Sequence, residues 1–247
     1  MFSSGRRGPG GKVDNVNIGG RVDAVNHDSY PHAMSADQTR VLDAAHGGHS
    51  RRGSGETRDR LVEAAWDLVA EGGPEAVTLR AVGERVGVSR TAPYRHFRDK
   101  SDLLAAVAAR GFELLRAETA QVMAGRDGSL DSIASALRAG CVAYVRAGLA
   151  RPRHYRLMFG EAAAGCDDDT VHGIASASLA EFAEVLAEGQ RAGAVRSGDA
   201  VEFAFLTWAM LHGLVDLALS GHFARKGISV EEAAARAATR WFHGPSL

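Results

Sequence analysis

The sequence predicts an all-α chain in which a small helix-turn-helix unit precedes a larger helical domain. Three observations lead there. Apolar residues recur at helical spacing from Leu61 onward, no run of period-two alternation marks a strand, and Gly, Pro or Asp-rich breaks punctuate the helical segments. With 247 residues and 45% hydrophobic content, the chain can bury one good core or two small ones.

Residues 1–55 precede that pattern. They are rich in Gly, Ser, Asn, Asp and His, with GRRGPGGK near the start and HGGHSRRGSG at the end, which predicts a disordered extension. GPGGKV is no phosphate loop: the glycine required five residues before the final Gly-Lys pair is missing, and no Ser or Thr follows Lys12. The arginines of this segment are of the kind that basic arms use to touch DNA.

From Glu56 the residues Leu61, Ala64, Ala65, Leu68 and Val69 form one helical stripe, which Gly72, Gly73 and Pro74 stop. A second helix follows Val77, with Thr78 as N-cap and Leu79, Val82 and Val86 as its buried stripe. Gly87 turns the chain, and Ser89 caps a short helix from about Arg90 to Phe97. Pro93 in its first turn argues for brevity. Asp99-Lys100-Ser101 then starts a long helix carrying Leu103, Leu104, Val107 and Leu115. Further helices are predicted over 129–149, shortly after Pro152, and over 168–191, 199–220 and 229–242. The domains expected are the extension 1–55, a DNA-binding unit 56–102 and a helical domain 103–247.

Charge is distributed unevenly. The formal net charge of −1 argues against a protein that coats nucleic acid. Residues 85–100, however, hold five Lys/Arg against one acid, whereas 101–247 carry a net −3, so positive charge is concentrated where a phosphate-binding face would need it. No stretch approaches roughly 18 uninterrupted apolar residues, and the first thirty residues lack the apolar core of a secretory signal, which predicts a cytoplasmic protein without a membrane span. Cys141 and Cys166 have no CxxC or Cys/His spacing and read as ordinary thiols.

The run TLRAVGERVGVSRTAPYRHFRDK, residues 78–100, has helix-turn-helix organisation: a helix, a Gly-centred turn, a short second helix and a basic junction. In such a unit the second helix enters the major groove while flanking donors fix its register on the phosphates. Over GVSRTAPYRHFRDKSDLL the sequence resembles the TetR family of one-component regulators. The resemblance is firm over about 57–105. It implies a three-helix DNA-binding domain, a ligand-binding and dimerising domain behind it, and repression relieved or altered by ligand. It also implies that Tyr94, His96 and Lys100 contact phosphates. Thr78, at a helix N-terminus, is placed for another phosphate. Arg90, Thr91 and Ala92 are candidates for base edges, Arg90 toward guanine and the small apolar groups toward a thymine methyl. Phe97 reads as core, Arg95 and Arg98 equally as contacts or solvated charges, and capping alone would account for Thr78 and Ser89.

Residues 199–220 are apolar nearly all round, so that helix needs cover on both sides, and a twin subunit is the natural second cover. This helix and the one at 229–242 are expected to form a two-fold interface. The stretch Trp208 to Gly213 resembles the Trp-His-Gly signature of one C-terminal subclass of these regulators. Trp208 and His212 share a helical face and are expected to line an effector pocket with Tyr155, Met158 and Phe159, the competing reading being plain core. Asp167-Asp168-Asp169 reads as N-terminal charge on a helix. No nucleophile-base set or paired-His motif is recognisable, so no enzyme, metal or cofactor is implied. The expected function is a homodimeric DNA-binding regulator, most simply a repressor, that binds a palindromic operator and is released by a small-molecule effector. The alternative is an all-α small-molecule-binding protein or enzyme without DNA binding.

Overall fold

The computed structural model describes residues 48–160 and 169–243, all-helical with no strand among the described residues. The chain before residue 48, together with Cys166, Asp167 and Asp168, lies outside them.

Helix α1 spans Gly48–Gly72. It starts ahead of the expected Glu56, because an apolar stripe marks where packing begins and not where backbone hydrogen bonding begins. Leu61, Ala65 and Val69 are fully buried on that stripe. A 3-10 turn, Pro74–Ala76, leads to α2, Leu79–Val86. The Thr78 hydroxyl accepts from the Ala81 N–H at 3.0 Å and caps α2, and Gly87 ends it in the left-handed region at φ 76°.

The segment after Gly87 corrects the sequence reading. Instead of an α-helix over 90–97 there is a 3-10 turn at Pro93–Arg95, flanked by Ala92 N–H to Ser89 O and His96 N–H to Pro93 O, both 3.0 Å. Proline is the cause. Pro93 has no N–H for the Ser89 carbonyl and its ring crowds that position, so the turn tightens and Ser89 caps no α-helix.

Helix α3, Lys100–Met123, is capped by Asp99, whose carboxylate accepts from the Asp102 N–H at 2.9 Å. Then follow α4 (Leu130–Ala150), α5 (Pro152–Phe159), α6 (Asp169–Arg191), α7 (Ala200–Leu219), α8 (His222–Lys226) and α9 (Val230–His243). The five-residue α8 was not anticipated. Set between Gly221 and Gly227, it is too short to show a period.

Two sets of buried side chains organise the molecule. One, around α1 to α3, includes Leu61, Val69, Val82, Phe97, Leu103 and Phe112, and extends to Leu157 and Met158 of α5. The other, around α4, α7 and α9, includes Leu137, Tyr144, Val145, Leu211 and Phe242. Leu115 and Phe159 pack against both, and α3 runs continuously from the first to the second.

Although no uninterrupted apolar run reaches membrane length, α4 and α7 are both long and apolar enough to cross one. Most of α4 is buried as a core helix, whereas α7 leaves Val201, Phe205, Leu206 and Leu217 exposed.

Candidate nucleic-acid interface and buried polar cluster

The turn after α2 carries most of the expected DNA contacts on one short stretch. Arg90, Thr91, Arg95 and Arg98 are exposed, and Tyr94 is 60% exposed, which for an aromatic ring is a presented position and not a core one. Ala92 and His96 are half-buried. Phe97, by contrast, is 2% exposed and sits in the core, with the Arg58 guanidinium 5.1 Å from its ring centroid. Thr78 is exposed but already engaged as the α2 cap.

Pro93 is buried and shapes this stretch from beneath. A Cβ added at Gly83 of α2 would lie 2.9 Å from Pro93 Cγ, so the glycine lets the turn sit directly on α2. Lys100 stands at the first position of α3, where the helix dipole disfavours a cation. Asp99, Asp102 and Glu75 offset this, Glu75 lying 3.6 Å from Lys100 Nζ. Such an exposed pair is weak, and a phosphate can replace its acid.

The expected effector residues fall in two adjoining places. Tyr155 and Met158 line a cavity of about 20 Å³ that also touches Trp66, Gly111, Arg151 and His154. That holds about one water molecule. Phe159, Trp208 and His212 do not line it; Phe159 and His212 pack against Tyr155, and Trp208 packs against those two. Tyr155 and His212 stack with centroids 5.5 Å apart, and Phe159 lies 4.8 Å from His212 and 5.9 Å from Trp208.

A line of polar atoms crosses this aromatic cluster. The Tyr155 hydroxyl is 2.8 Å from His212 Nδ1 and 3.1 Å from the Tyr144 hydroxyl. The Tyr155 hydroxyl, which can both donate and accept, thus joins the Tyr144 hydroxyl to the His212 ring nitrogen. Burial pushes the Tyr144 hydroxyl up to about 12 and lowers His212, against which the nearby Asp216 carboxylate acts. Tyr144 was missed from sequence, since a tyrosine at helical spacing in a core helix carries no local mark. Cys141, the one cysteine among the described residues, is buried, and burial raises its thiol to about 12, far from a reactive thiolate.

Residues 61–107 match the model of bacterial regulatory proteins of the tetR family, and residues 137–241 that of a tetracyclin repressor-like C-terminal domain. Among curated proteins, the HTH-type transcriptional repressor KstR of Mycolicibacterium smegmatis is 41% identical over 64 residues, 26% of this chain and 31% of that repressor. KstR of Rhodococcus jostii is 45% identical over 58 residues, 24% of this chain and 27% of that protein. The chain thus matches about a third or less of the length of these relatives. Among solved structures, a protein of unknown function from Rhodococcus sp. RHA1 superposes with a TM-score of 0.68 at 29% identity, over 77% of this chain and 95% of that one. RolR in complex with its ligand resorcinol has a TM-score of 0.55 at 24% identity, over 78% and 90%.

Proposed function

The chain belongs to the TetR family, and on that premise we propose that it is a DNA-binding transcriptional regulator, acting as a repressor, that binds a palindromic operator as a homodimer. The observation that carries this is the exposed, basic turn from Arg90 to Lys100, with Tyr94 held out to solvent. Tyr94, His96, Lys100 and Thr78 hold phosphates, while Arg90, Thr91 and Ala92 meet base edges. Two copies reach successive major grooves only when their turns stand near one DNA repeat apart, roughly 34–36 Å. An effector that favours another spacing releases the DNA. Its site is the cluster of Tyr155, Met158, Phe159, Trp208 and His212, which adjoins a water-sized cavity that Tyr155 and Met158 line, so binding requires opening. The fold is one in which RolR holds a small aromatic ligand. The role is regulatory and not enzymatic, it places the protein in the cytoplasm beside its operator, and the chain divides into a 56–102 DNA-binding domain and a 103–247 helical ligand-binding and dimerisation domain.

The test is fluorescence anisotropy on a duplex recovered by selection from randomised sites, across a salt series. Wild type is expected to bind selectively, with affinity falling steeply as salt rises. Lys100→Ala should shrink the slope of log affinity against log salt by about 0.9, the value of one lost phosphate contact. Tyr94→Phe should weaken binding without changing that slope. Failure to recover any duplex sinks the regulator role in favour of an all-α ligand-binding protein.

A further inference from the structure

Helix α1 ends on a carbonyl that its own helix cannot pair. A helical carbonyl accepts from the N–H four residues on, and for Ala70 that residue is Pro74, which has none. The donor comes from α5. Arg153 Nη1 donates to Ala70 O at 2.7 Å, placing a cation at the negative end of α1. The next residue, His154, reaches the preceding turn of the same helix: its Nε2 donates to Trp66 O at 2.9 Å, and its ring stacks on the Trp66 indole with centroids 3.7 Å apart. His154 is 4% exposed.

The remainder of α5 faces the buried cluster through Tyr155, Met158 and Phe159. A single eight-residue helix therefore holds α1 on one side and the cluster on the other. In turn α1 holds the recognition unit. Arg60 Nη2 donates to Val86 O at 3.0 Å, and Arg85 Nη2 lies 2.7 Å from Glu71 Oε1.

We propose that Arg153 and His154 are positioning residues through which occupancy of the Tyr155 cluster sets the orientation of α1 and of the recognition turn; this rests on the regulator role proposed above. The physical reason is one of constraint. Continuity through α3 alone leaves the recognition unit free to pivot about one attachment, and the α5 bonds to Trp66 O and Ala70 O supply a second. The cavity lies on this seam, bordered by Trp66, His154, Tyr155 and Met158. Interiors are close-packed, so this void beside α5 gives the helix room to shift. Hydrogen bonds weaken steeply with misalignment, so a small shift releases α1 instead of dragging it along.

Coupling between sites is reciprocal, so the test needs only DNA. The probe is the selected duplex, and the readout is amide hydrogen exchange in the full chain over 152–159 and 207–213. In wild type, saturating duplex should slow exchange in both stretches by about threefold or more. Arg153→Met and His154→Phe should bind the duplex within about threefold of wild type yet lose that distant slowing. Arg153→Lys, which keeps a donor, should retain it. Slowing that passes undiminished through both variants overturns the proposal. So does a wild type that binds duplex with no change at either stretch, while the regulator role stands. If no duplex binds, both fall together. Should His154→Phe fail to fold, the exposed Arg153→Met alone decides.

Discussion

His154 and His212 are imidazoles packed against aromatic rings, and burial disfavours the protonated form of both. Burial lowers His154 from its ordinary 6.5; its bond to the Trp66 carbonyl opposes this, and Arg151 and Arg110 add to it. Burial does the same for His212. The unfolded chain therefore takes up protons near pH 6.5 while the folded chain resists until lower pH. Between those values the unfolded state binds more protons, so stability falls as pH drops through 6.5 and levels off once both states are protonated. The melting temperature should be constant above about pH 7.5 and decline from pH 7 to 5. Glu84, Asp127 and Glu231, held below their ordinary values by hydrogen-bond partners, act only in more acid solution. A His154→Phe, His212→Leu double variant should flatten the decline, and a wild-type melting temperature unchanged between pH 7 and 5 would refute this account. His212 was legible in the sequence because Trp208 stands four residues before it. His154 was not, since its partner is a carbonyl 88 residues away. The Ala70 carbonyl was half legible: Pro74 announces that it lacks a donor, but nothing local says that Arg153 supplies one.

Among the elements, the turn after α2 shows how far local sequence reaches. Gly87, Thr78 and Asp99 announced where helices end and begin, because caps and turns are decided by the nearest few residues. Pro93 foretold brevity, yet whether a short segment closes as α or 3-10 depends on one missing N–H and on what lies beneath. What lies beneath is Gly83. Replacing it by Ala puts a methyl 2.9 Å from the Pro93 ring, which is rigid and cannot fold away. The helix gains about 1 kcal/mol from Gly to Ala, while overpacking costs about 1–3 kcal/mol, so net destabilisation should not exceed about 2 kcal/mol. DNA binding should suffer more than folding. Lifting the turn off α2 displaces Arg90 to Tyr94 together, and duplex affinity should drop about tenfold or more while the unfolding midpoint moves little. The reverse pattern, a large loss of stability with unchanged affinity in the folded fraction, would show that the glycine serves packing alone.

At the scale of the whole molecule, α7 is the helix with an uncovered apolar side. Its buried side, Phe203, Ala204, Thr207, Leu211 and Val215, meets the core, and its other side presents Val201, Phe205, Leu206 and Leu217 at 39–54% exposure. The amphipathic rule that located the other helices fails here, which is why the sequence pointed to two covers. Helix α9 contributes differently from what its alanines suggested. Ala234, Ala238 and Phe242 are spent on the core, and Glu232, Arg236, Thr239 and Arg240 face outward, so its part of an interface is polar. An apolar centre on α7 beside a charged rim on α9 has the anatomy of a protein interface and not of a lipid-facing helix, whose apolar surface would continue past α9. Wild type should therefore sediment as a dimer at micromolar concentration, without detergent. Phe205→Asp should yield folded monomers, since its side chain is half exposed and lies outside the core. Separating the two recognition turns removes simultaneous engagement of both half-sites, so duplex affinity should fall about 100-fold, whereas a single half-site should bind the variant and wild type alike. A Phe205→Asp protein that remains dimeric would move the interface off α7, and a monomeric wild type that gathers on lipid vesicles would assign that face to a membrane instead.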